Sequence, residues 1–141
     1  MKKIFTAAVF ICALIFSMTV NAASWRFIGN DEFGNEYHLD TSSIEIETKT
    51  DDKLTFHAVF KENFVEEMKV RLNMPNLAYA LQVYRFEKVG DERRCAVLYT
   101  QFFSADNKMI DSAVTPSDLK IIVEGSINEN FYNAAIEYLS L

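Results

Sequence analysis

The sequence predicts an α+β domain: an antiparallel sheet of about six strands, with a C-terminal helix packed on one face and a short helix in the middle of the chain. Three observations carry this reading. Short stretches of alternating apolar and polar residues recur between turn-forming clusters of Gly, Asn, Asp and Ser. The period changes in mid-chain, where apolar residues fall at helical spacing. Ser126-Ile127-Asn128-Glu129 then forms a capping box ahead of a second amphipathic run.

Residues 1–22 stand apart from this domain. Met1-Lys2-Lys3 is a positive start, and Ile4 to Met18 is apolar except for Thr6 and Ser17. Val20-Asn21-Ala22 puts small residues where a signal peptidase reads. The expectation is a cleaved secretory signal, leaving a single domain over 23–141. The apolar run is shorter than the roughly 20 residues a membrane-spanning helix needs, so no span is expected after cleavage. Phe10 and Ile11 before Cys12 are too bulky for a lipoprotein cut, so no lipid anchor is expected. The secretory route places the product in the periplasm or outside the cell.

Trp25 to Ile28 reads as a strand, Gly29-Asn30-Asp31 and Phe33-Gly34-Asn35 as turns, and Glu36 to Asp40 as the returning strand of a hairpin. Asp40-Thr41-Ser42-Ser43 reads as another turn, and Ile44 to Thr48 as a half-buried strand. From Lys53 to Lys61, Leu54, Phe56, Ala58 and Phe60 share one face. Over Glu62 to Asn73, Phe64, Val65, Met68 and Leu72 fall at helical spacing, and Pro75 ends that helix. Leu77 to Val89 and Arg93 to Phe103 are long strands turned at Gly90-Asp91-Glu92. Met109 to Val114 follows, and Ile121 to Val123 adds a further short strand. The capping box starts the last helix at Ile127. Its apolar face holds Ile127, Phe131, Ala134, Ala135, Tyr138 and Leu139, which the sheet must cover.

Composition bounds the function. Four Gly and two Pro, with many Phe and Tyr, suit a packed core. Loss of Lys2 and Lys3 takes the basic count from 14 to 12 against 20 acidic residues, a net charge near −8. Such a chain repels phosphate, so nucleic acid and anionic membrane surfaces are poor partners. With Cys12 removed, Cys95 stands alone and no intramolecular disulfide can form.

Several of these residues occur in a familiar order. Trp25 precedes Tyr37-His38-Leu39-Asp40 and Ser43-Ile44, and a strand ends near Lys61. Arg93-Arg94-Cys95 and Tyr99 lie in a long strand, and Gly125-Ser126 opens the terminal helix. In this the chain resembles the surface-adhesin protein E family of small exported bacterial proteins. The resemblance covers most of residues 23–141. It implies an antiparallel sheet with the C-terminal helix on its concave face, and a non-enzymatic role in binding host-matrix, serum or cell-envelope proteins. It also implies a disulfide from the position of Cys95 to the terminal helix. This chain departs there, because Glu137-Tyr138-Leu139-Ser140-Leu141 contains no cysteine. It departs again in lacking the lipid anchor of the best-known members. A periplasmic structural or accessory role sharing only the fold is the first alternative, and an enzyme is a distant second.

No residue set carries a catalytic or metal motif, and no cofactor or enzymatic activity is expected. Cys95 beside Arg93 and Arg94 could be an activated thiol, but free cysteine is usually a small buried hydrophobe, and the structural role is favoured. His38 and His57 lack ligand spacing. Asp31, Glu32, Glu36, Asp51 and Asp52 lack a calcium-loop pattern. Tyr79, Tyr84, Tyr99 and Phe103 are the candidate protein-binding face. Trp25, Cys95, Ser126, Phe131 and Tyr138 are the candidate structural residues.

Overall fold

The computed structural model describes residues 24–114 and 118–139. The expected signal segment, Cys12 included, lies outside them. The described chain forms β1 (Trp25–Asn30), β2 (Glu36–Lys49), β3 (Lys53–Asn63), α1 (Glu66–Arg71), β4 (Leu77–Val89), β5 (Glu92–Ser104), β6 (Met109–Val114), β7 (Lys120–Ile121) and α2 (Ile127–Leu139). The strands make one antiparallel meander in the order β1-β2-β3-β4-β5-β6. The long β5 serves two partners on one edge. β6 pairs with Tyr99 to Phe103, and β7 pairs with Arg94 and Cys95. No helix among the described residues is long and apolar enough to cross a membrane.

Strand alternation sets the core. Leu39, Phe56, Ala58, Phe60, Tyr84, Phe86 and Cys95 face α2, which buries Phe131, Tyr132, Ala134 and Ala135 against them. Phe131 is the centre of that contact. Its ring stacks on Phe60 at 4.2 Å and meets Tyr84 edge-on at 5.3 Å and Tyr37 at 5.1 Å. Two arginines tie the helix to the strands beneath it. Arg26 of β1 reaches Glu137 at 3.0 Å, and Arg93 of β5 reaches Glu129 at 2.8 Å.

The helix starts as expected, with a variation in its cap. Ser126 Oγ accepts from Glu129 N, but the Glu129 carboxylate takes the amide of Gly125, one residue before the cap. Ser126 N bonds the Val123 carbonyl instead.

Three expectations are corrected. Glu36 to Lys49 is a single strand, with no chain reversal at Asp40 to Ser43. Asp40 Oδ1 does accept from Ser42 N at 3.0 Å, so the local turn forms. It appears as a bulge, because the chain on both sides pairs with β3. Between the pairs Asp40–Val59 and Glu45–His57, the four residues 41–44 oppose Ala58 alone. The middle helix is shorter than its periodicity suggested. Glu62 and Asn63 stay in β3, and α1 buries none of its own residues. Leu72, expected on the buried face, is exposed. Tyr138 is the third correction. It is 49% exposed at the end of α2, with the Arg26 guanidinium 5.7 Å from its ring centre, while Tyr132 takes a buried place.

Candidate functional site

The sheet presents two surfaces away from α2: its opposite face and its β6–β7 edge. Register orders the face into rows. One row runs Trp25, Asp40, Val59, Val83, Tyr99 and Val114 across successive strands. Val59, Val83 and Tyr99 pack there as a second apolar cluster. In a neighbouring row Tyr79 stacks on Phe103 at 5.0 Å, and the Lys61 ammonium lies 4.4 Å from the Tyr79 ring centre. Trp25 lies on the other side of Lys61, at 5.8 Å.

The four candidate binding-face residues therefore divide. Tyr84 belongs to the helix side, buried between Phe60 and Phe131. A bulge between Val83 and Tyr84 in the β4–β5 pairing separates it from the rest. Tyr79, Tyr99 and Phe103 share the opposite face, but Tyr99 and Phe103 are buried and only Tyr79 is half-exposed. The Tyr79 hydroxyl donates to Asn107 at 2.8 Å.

The edge carries a run of exposed apolar side chains instead. All six residues of β6 are exposed, with Met109 and Val114 at 56% each. Further along the same edge Ile121 is 63% and Val123 67% exposed. No local pattern signals this, because a strand's alternation does not say whether another strand lies beyond it.

Cys95 is a buried free thiol facing α2, and burial pushes its pKa up. A protonated thiol is a weak nucleophile. His57 is buried on the opposite face, where Glu47 lies 3.4 Å from its Nε2 and 3.1 Å from Arg85 Nε. Burial pushes the His57 pKa down, against the pull of Glu47. His38 stands in another row, against Phe27 and Asn63. Asp31, Glu32 and Glu36 lie at one end of β2, and Asp51 and Asp52 at the other. Among the described residues no group of three or more His, Cys, Asp or Glu could hold a metal ion.

One buried polar cluster escaped the sequence reading. Asn35, fully buried, donates through Nδ2 to Asp31 and accepts at Oδ1 from the amide of Val65, both at 2.9 Å. Tyr37 Oη lies 2.7 Å from Glu62 Oε1 and 3.2 Å from Asp31 Oδ2. Burial pushes Glu62 up to about 7. Its signal was available: Glu62 continues the parity of Phe56, Ala58 and Phe60 and so falls on the core face once β3 extends that far.

Comparison of the chain with family models, curated proteins and solved structures returns no match.

Proposed function

We propose that this chain is an exported, non-enzymatic binding module that takes an extended segment of another protein along the free edge of β6. The observation that supports this is the edge itself. β6 ends the strand path, so its outward amides and carbonyls face no further strand among the described residues. Natural edges are usually guarded by lysine, proline or a covering element. Met109-Ile110-Asp111-Ser112-Ala113-Val114 has one charge, no lysine and no proline. Such an edge is a template for strand addition, with main-chain hydrogen bonds giving affinity and apolar side chains giving grip. The N-terminal leader supports export, and the adhesin likeness points to matrix or cell-envelope proteins as the partner class.

The test is retention of those proteins on the immobilised domain. A double Ile110→Lys and Val114→Lys variant, folded by circular dichroism, should weaken capture by about tenfold or more, as a loss of about 1.4 kcal/mol implies. Undiminished capture by the variant, or no retention from any matrix or envelope fraction, overturns the proposal.

A further inference from the structure

Tyr37 brings two carboxylates to one hydroxyl. Its Oη lies 2.7 Å from Glu62 Oε1 and 3.2 Å from Asp31 Oδ2. A phenol has a single hydrogen, so it serves one of these oxygens at a time. Both contacts are hydrogen bonds when one carboxyl carries a proton and donates it to Tyr37. Asp31 is already surrounded by donors. Its Oδ1 accepts from the amides of Phe33 and Asn35, and its Oδ2 from Asn35 Nδ2. Those donors suit an acceptor-only carboxylate, which leaves the proton to Glu62. Glu62 is 8% exposed, where an ion is costly and an acid is not.

We propose that Asp31, Tyr37 and Glu62 form a proton-held latch that fastens the β1–β2 loop and the start of α1 to the sheet, and that loosens as pH rises. Asn35 passes the hold onward, because it grips Asp31 on one side and the Val65 amide on the other. Gly34 takes a φ of +88°, which lets the loop turn back onto this cluster with its Cα facing Val65. Loss of the proton leaves one hydrogen among three oxygens and a negative charge on each side of a single hydroxyl.

Among the described residues, the groups that face Glu62 supply no compensating cation. They are Tyr37 from β2, Asp31 from the loop and Tyr84 from β4, while α2 presents Phe131 to Tyr37 and Tyr84. In α1, Lys69 and Arg71 are paired with Glu66 and Glu67. Burial lifts Glu62 to about 7, which places the release near neutrality. The latch is independent of what the β6 edge binds.

Hydrogen exchange read by NMR tests it, with intrinsic rates divided out. Protection at the Asn35 and Val65 amides should fall about fivefold or more between about pH 5.5 and about pH 8.5, while Phe86 in β4 stays level. Glu62→Gln should flatten that profile, and Asp31→Asn should move its midpoint to lower pH by removing the facing charge. A level profile in the wild-type chain, or a transition that survives Glu62→Gln, overturns the latch. Should Glu62→Gln fail to fold, the carbon-13 titration of the Glu62 carboxyl in the unaltered chain decides. A midpoint near 7 supports the latch, and one at the ordinary 4.5 refutes it.

Discussion

Replacing Phe131 with alanine tests the packing on which the fold depends. The ring is fully buried and touches Phe60, Tyr84 and Tyr37, so truncation opens a cavity in the middle of the helix–sheet contact. Phe→Ala at such sites costs about 3–5 kcal/mol, and the three ring contacts place this one toward the upper end. A domain of this length is stable by about 5–15 kcal/mol, so a third or more of the total is at stake. At about 3–4 °C per kcal/mol, the midpoint should fall by about 10–20 °C. Urea unfolding followed through the single tryptophan, Trp25, gives the comparison, with an unchanged slope required for a two-state reading. Tyr138→Ala is the matched control, because that ring is half in water and should cost less than about 1 kcal/mol. A Phe131→Ala loss below about 1.5 kcal/mol, or a Tyr138→Ala loss of equal size, refutes the assignment of the core.

Asn35→Ala should cost about 2–3 kcal/mol in chemical denaturation, because it strands the part-buried Val65 amide as well as removing a donor from Asp31; a loss under about 1 kcal/mol would show that the loop is not held this way. Glu62 has a folded pKa raised from 4.5 to about 7, so its stabilisation is complete below about pH 4.5 and is lost as pH rises through about 7. The shift corresponds to a ceiling of about 3 kcal/mol, and Glu62→Gln should remove that slope from a plot of unfolding free energy against pH. Cys95 should react with iodoacetamide at least about 100-fold more slowly in the folded chain than in urea, and a rate matching the unfolded one would contradict its burial.

Local chemistry made the strands and the last helix legible, and long-range pairing decided what was not. Gly90 turns the chain between β4 and β5 with φ of +59°, as its place in the sequence indicates. Ser126 caps α2, and Phe131, Ala134 and Ala135 lie on its buried face as helical spacing requires. Asp40 to Ser43 carries genuine turn chemistry, but β3 remains the partner on both sides, and no local window reveals that. Glu62 looked like the first residue of a helix because the following residues are periodic. Its pairing with Tyr37 and Ala80 in the neighbouring strands keeps it in the sheet. The aromatic-rich strands were recognisable, whereas the placement of their rings was not. Parity sends Tyr84 to the helix side, and the bulge beside it leaves Tyr99 and Phe103 on the other.

No disulfide joins β5 to the terminal helix among the described residues, and other contacts stand near Cys95. Arg93, two residues before Cys95 in β5, bridges to Glu129 and lies 5.4 Å from the centre of the Tyr132 ring. At the other end of the helix, Arg26 holds Glu137 and covers Tyr138. The Arg26–Glu137 pair is open to water and adds little energy, so it orients the end of the helix rather than holds it. A disulfide contributes about 2–4 kcal/mol, which is the scale of one buried phenylalanine. Phe131, set among three rings, can therefore supply what a sulfur bridge would. The anchorage among the described residues then depends on shape in the core, where Cys95 is a buried free thiol.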